Sequence, residues 1–318
     1  MIGALWSAVG TESVKHHAAR LFTGAAVFWL LGAAVVLARR NASVLSDEGL
    51  VAGLATAARP LQDLPPVAAG ALLVAGLVVV VGSALVAERL TPGVLRMLEG
   101  YGRRPAAWRS RRVRRWVAAR ADAMSTYQTL QARRGSSTPL DADDELALSR
   151  AALVLHSIPS SGSLVMPTRL GNVLRAAELR PGQKHGVDAV SSWPRLWLVM
   201  PADARTDVGA ARGELDAAAR AWLWGALLVI WTPWAWWAPL LAVVVAALGY
   251  AACVRAAGTY GVLVESAFDV HLPLLYDATR VPRPTTAADE RAAGERLALY
   301  LHAGSDDPAL VFVPASKE

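Results

Sequence analysis

The 318-residue sequence predicts an all-α membrane protein, with four transmembrane helices in two hairpins and a mainly helical cytoplasmic domain. Three observations carry that reading. Residues 21–38, 64–87 and 221–254 are apolar and free of charge, ten arginines and no lysine crowd residues 89–120, and apolar residues elsewhere recur at helical spacing.

The run lengths set the number of crossings. A hydrocarbon core of about 30 Å takes about 20 helical residues. Runs of 18 and 24 residues each cross once, whereas 34 residues are too many for one crossing, and Pro233 and Pro239 would cost a continuous helix its hydrogen bonds. The third run therefore reads as a hairpin, ahead of a single span or a re-entrant segment. Trp222, Trp224, Trp231, Trp234, Trp236 and Trp237 lie at its mouth and turn, and with Trp108 and Trp116 they read as interfacial anchors. An aromatic cage for a cation is the competing use of such rings. Small residues at Gly24, Ala25, Gly32 and Ala33, and at Gly70, Ala71, Gly76 and Gly82, allow close helix approach and predict a homo-oligomer.

Charge sets the orientation. Residues 39–66 carry three arginines against three acids, so the arginine-rich segment after the second run belongs in the cytoplasm. The resulting divisions are a cytoplasmic N-terminal segment at 1–20, a first hairpin at 21–87 with an outer loop at 39–63, and a cytoplasmic domain at 88–217. A second hairpin at 218–264 and a cytoplasmic tail at 265–318 complete the chain. Both termini are expected to be cytoplasmic. The first run is preceded by Lys15, His16, His17 and Arg20 but lacks a small-residue cleavage site, so it reads as a retained span. Arginine outnumbers lysine 29 to 3, a composition expected of a GC-rich genome and a bacterial inner membrane. The single cysteine, Cys253, excludes an intrachain disulfide.

Within the cytoplasmic part, Pro105 opens and Gly135 closes a helix whose Val113, Trp116, Val117, Met124, Tyr127 and Leu130 share a face. Asp144 to Ser157 forms a second helix led by acids. Thr168 caps a third that reaches Arg180 and stops at Pro181 and Gly182. Residues 193–200 read as a strand or a membrane-grazing turn, and residues 202–220 as a helix leading into the third run. In the tail, Thr286 and Asp289 fit a capping box, Gly304 ends the helix, and residues 310–313 suggest a short strand. An echo between the segments following the two hairpins, Leu85 to Tyr101 and Leu263 to Tyr276, hints at two related halves.

The segment PTRLGNVLRAAE at 167–178, followed by Gly186, Val187, Asp188 and Ala189 and by WPRL at 193–196, resembles a recurring pattern in uncharacterised multispanning membrane proteins of actinobacteria. Residues 95–101 and 268–271 resemble further parts of it. The resemblance implies the same architecture and no catalytic residue.

No chemistry announces itself. Asp141, Asp143, Asp144 and Glu145 sit where helix caps and dipole partners belong. The histidines His16, His17, His156, His185, His271 and His302 lack metal-ligand spacing, and His271 beside Asp269 is the most suggestive. Ser160 to Ser163 lacks a nucleophile elbow, and Gly171 stands outside any phosphate-cradling loop. The runs hold no acid or base, which disfavours a proton relay or voltage sensor. Catalytic residues, metal and cofactors are therefore expected to be none. Arg103, Arg104, Arg109, Arg111, Arg112, Arg114, Arg115 and Arg120 are the candidate lipid-headgroup contacts, since each charge near an anionic leaflet is worth about 1 kcal/mol. The expected role is a non-enzymatic membrane anchor or assembly component. Its partners would be anionic lipids, a second copy and a soluble cytoplasmic protein, with no nucleic acid. The alternatives are a homo-oligomeric channel or membrane-disrupting effector gated by the cytoplasmic domain, and a membrane enzyme acting on lipid phosphates.

Overall fold

The computed structural model describes residues 11–40, 65–103, 105–136, 140–304 and 312–313, with the side chains of 11–21 and 37–40 left out. Of the predicted outer loop, residues 39 and 40 are still helical and 41–63 lie outside the described residues, as does Arg104. Every regular element among those described is helical: α1 Thr11–Arg40, α2 Pro66–Glu99, α3 Ala106–Arg134, α4 Ala142–Ser157, α5 Arg169–His185, α6 Ala189–Val199, α7 Ala202–Leu227, α8 Ala238–Thr279 and α9 Glu290–Ala303. Short 3-10 turns occupy Gly162–Leu164 and Leu228–Trp231. Two of the helices, α2 and α8, are long and apolar enough to cross a membrane. The chain divides into two compact units, one drawn from Met1–Leu95 and Gly213–Cys253, the other from Arg96–Arg212 and Val254–Glu318.

The first unit gathers residues of four helices around aromatic knobs. Ala25 and Phe28 of α1, Ala84 and Ala87 of α2, Trp224 of α7 and Ala242 of α8 form one buried cluster, which Leu228 joins from the 3-10 turn. Glycine makes the approach possible at Gly32, where an added Cβ would lie 1.9 Å from the Trp231 ring. Trp29 Nε1 donates to Ser83 Oγ at 3.1 Å, tying α1 to α2. As the sequence implies, the third apolar run breaks in its middle. Helix α7 gives way to the 3-10 turn, and α8 resumes at Ala238, with the backbone of Trp222 packed against Gly249. By contrast, Val67, Leu72, Leu73, Val74, Leu77, Val78 and Val79 of α2 are exposed.

In the second unit, α3 pairs with α4 through Ala123, Leu130, Leu148 and Ala151, and Arg133 reaches Asp144 at 2.8 Å. A separate core built on Phe268, Leu275, Leu196, Val187 and Leu297 unites α6, α8 and α9. Most helix boundaries follow the sequence signals. Pro105 and Gly135 flank α3, Asp141 accepts from the Asp144 N–H ahead of α4, and Thr168 accepts from the Gly171 N–H ahead of α5.

Four boundaries depart from expectation. Helix α5 runs through Pro181 to His185, because the buried ring is packed into the core and the real stop is Gly186, at φ +74°. Residues 193–200 are helical instead of a strand or grazing turn. Asp188 caps α6 by accepting from the Ser191 N–H, Ala189, Ser192 and Leu196 bury one face, and Pro194 falls on the exposed one. Thr286 and Asp289 do exchange hydrogen bonds, but in a turn that precedes α9 instead of inside its first turn. Finally, Phe312 and Val313 belong to no strand; Val313 N–H donates to the Arg280 carbonyl, and residues 310–311 lie outside the description.

Candidate functional site

Helix α3 carries the basic stretch, and its neighbours sort the arginines. Trp116, Ala123, Tyr127 and Leu130 turn one face inward, so Arg111, Arg114 and Arg115 fall on the opposite, exposed face. Arg109 is exposed in the first turn, and Arg103 is exposed before the helix begins. None of these five takes part in an ion pair among the described residues. Arg112 is partly withdrawn: its Nε donates to the Pro167 carbonyl at 3.4 Å and its guanidinium lies over the Trp108 ring. Arg120 is engaged elsewhere, its Nη1 donating to the carbonyls of Leu155 and Ile158 at 2.8 and 2.7 Å, where α4 runs out of partners.

The anchor tryptophans divide in the same way. Trp234, Trp236 and Trp237 are exposed, Trp236 by 81%, and Trp222 is half-buried. Trp224 and Trp231 instead fill the core of the first unit against Phe28. Trp116 donates from Nε1 to the Pro167 carbonyl at 3.3 Å.

The 167–178 motif forms a joint. Pro167 supplies that carbonyl, and the Thr168 hydroxyl donates to the Glu99 carbonyl at 2.7 Å while accepting from Gly171. Gly171 is glycine because a Cβ there would lie 2.2 Å from the Glu99 carbonyl oxygen. Asn172 Oδ1 accepts from the Met166 N–H at 2.7 Å. Burial and the nearby Glu178 raise the Glu99 carboxyl above its ordinary range.

The largest charged cluster among the described residues was hidden in the sequence. Arg180 and Lys184, one turn apart on α5, meet Glu265 and Asp269, one turn apart on α8. Arg180 Nη1 lies 2.7 Å from Glu265 Oε2, and Lys184 Nζ lies 2.6 Å from Glu265 Oε1 and 2.9 Å from Asp269 Oδ2. His185 bridges Asp269 at 2.7 Å and Glu290 of α9 at 2.6 Å. Asp269 thus partners His185 rather than the expected His271, since residues two apart on a helix point in different directions. The matching four-residue spacings were the available signal, but nothing local pairs residues 85 apart. Burial works against ionised Glu265 and Asp269, yet the bonds from Lys184, Arg180 and His185 outweigh it and hold both carboxyls below their ordinary values. Hydrogen bonds to Glu265 and Asp269 push Lys184 up.

This network satisfies its own charges, so it serves as a clamp between α5, α8 and α9. Among the described residues, no three His, Cys, Asp or Glu side chains converge where a metal would sit. Arg109, Arg111, Arg114 and Arg115 of α3, with Arg103 ahead of it, are thus a run of exposed cations without an ion pair among the described residues, whereas Arg133 and Arg134 at the other end of the helix reach Asp144 and Glu145. No protein-family model, curated protein or solved structure matches the chain.

Proposed function

We propose that this protein is a non-enzymatic, multispanning membrane anchor whose helical domain adheres to anionic lipid through the outer face of α3. The observation that carries the reading is α2: only 6% of its most apolar stretch is buried. Leaving Val67, Leu72, Leu73, Val74, Leu77, Val78 and Val79 in water would forfeit about 1.5–3 kcal/mol each, a cost that lipid removes. On this reading α1, α2, α7 and α8 provide four crossings of a bacterial inner membrane, both termini are cytoplasmic, and Trp234, Trp236 and Trp237 lie at the outer interface. Arg103, Arg109, Arg111, Arg114 and Arg115 then face lipid phosphates, while Arg112 and Arg120 hold the domain together. Anionic lipid is the principal partner, and the open glycine face of α2 suits a second copy.

Topology reporters test the arrangement. Fusions at Ala52 and Ala235 are expected to read periplasmic, and fusions at Ser137 and Lys317 cytoplasmic. A periplasmic signal at Ser137 would overturn the proposal.

A further inference from the structure

Where α4 ends against α5, a cleft of about 40 Å³ is lined by Arg120, His156, Ser160, Arg180 and Gln183. The carbonyls there would repel an anion, but guanidinium donors cover them. Arg120 takes those of Leu155 and Ile158, and Arg180 takes that of His156. Arg180 shares Glu265 with Lys184, whereas Arg120 has no carboxylate partner among the described residues. Arg120 uses only Nη1 in its capping bonds, which leaves Nε and Nη2 for another acceptor. Gln183 Nε2 donates to Ser160 Oγ at 3.0 Å, so the serine O–H is free to donate in turn. Burial, and after it Arg180, hold the His156 imidazole below its ordinary range, so the histidine lining the cleft is biased toward its neutral form.

Size narrows the ligand. A water needs about 10–15 Å³ of such space, so the cleft takes about three water-sized atoms, the number of peripheral oxygens on a phosphoryl group. We propose that this cleft binds a phosphoryl group, as inorganic phosphate or as the end of a phosphomonoester, held by Arg120, Arg180, Ser160 and Gln183. A phosphoryl group carries about −1.5 to −2 charge near neutral pH; Arg120 meets it with a charge that no carboxylate among the described residues offsets, and Arg180, paired with Glu265, adds hydrogen-bond donors. The substituent of a monoester stays outside, on the open side. None of the exposed arginines assigned above to lipid phosphates lines the cleft.

The test uses the full-length chain in nanodiscs. Inorganic phosphate is titrated by calorimetry at constant ionic strength against chloride, and a second arm compares nanodiscs of phosphatidic acid, which ends in a phosphomonoester, with phosphatidylglycerol, which does not. Saturable phosphate binding identifies a soluble ligand; preference for phosphatidic acid without binding of free phosphate identifies a lipid headgroup. In either case the double variant Ser160→Ala with Gln183→Ala should weaken binding about tenfold at unchanged helix content, and Arg120→Gln should abolish it. The double variant decides the matter if Arg120→Gln frays α4. The proposal is overturned if neither arm shows binding up to about 20 mM phosphate, if the double variant binds as the wild type does, or if binding is lost only when Arg111, Arg114 and Arg115 become Gln.

Discussion

Gly171 has its backbone pressed against the Glu99 carbonyl, and that oxygen belongs to a helix end that cannot retreat without breaking its bond to Thr168. Gly171→Ala is therefore expected to cost about 1–3 kcal/mol, the usual penalty for overpacking, read as a lower denaturation midpoint. Gly258→Ala, which meets nothing within 4 Å, is the matched control and should be neutral or better. Glu265 and Asp269 set a pH dependence. Their carboxyls sit below ordinary values in the folded protein, so they contribute fully above about pH 4 and lose that contribution as pH falls through the folded values. Circular dichroism should show the helical domain weakening below pH 4. In Asp269→Asn the difference in stability between pH 7 and pH 3 should shrink.

At the scale of the element, α3 makes two uses of one residue type, and substitution separates them. Changing Arg111, Arg114 and Arg115 to Gln should leave the melting temperature nearly unchanged, because exposed charges without partners contribute little to folding. The same change should sharply reduce flotation of the domain's contacts with anionic lipid, measured as the salt-sensitive part of vesicle binding. Arg120→Gln should do the reverse: it removes two charge-assisted bonds at the end of α4, costing about 1–3 kcal/mol, with little effect on salt-sensitive binding to phosphatidylglycerol vesicles. Helix α5 shows why boundaries escaped the sequence. A proline followed by glycine is an ordinary helix stop, but Pro181 is packed on all sides, and that burial offsets the one bond its nitrogen cannot make. Residues 193–200 misled for a related reason: Trp193, Trp197 and Leu198 make a short apolar run whose period is ambiguous, and the capping Asp188 lies outside it.

Across the whole molecule, legibility follows the range of the interaction. Apolar runs, caps and the break near Pro233 are local, and the sequence displays them directly. The pairing of Arg180, Lys184 and His185 with Glu265, Asp269 and Glu290 spans more than 80 residues, and only the fold brings it together. The basic face of α3 was readable as a charge run, but its division into exposed arginines and structural ones depended on where Pro167, Leu155 and Ile158 lie. Small-residue patterns were equally double-edged. Gly24 and Gly32 receive Trp224 and Trp231 of the same chain, whereas Gly70, Gly76 and Gly82 meet nothing within 4 Å. Replacing Gly76 and Gly82 with Leu is expected to shift the purified protein toward smaller species in nanodiscs, read by mass photometry, with no loss of thermal stability. The corresponding change at Gly32 should instead impair folding.

The seat at Gly32 is synthesised early and its occupant, Trp231, late. Roughly two hundred residues separate them, and at about 5–20 residues per second the ribosome takes about 10–40 seconds to bridge that interval. For that time α1 presents an open seat at Gly32 that awaits its tryptophan. Folding of this chain thus contains a built-in waiting period, which ends only when Trp231 reaches its seat.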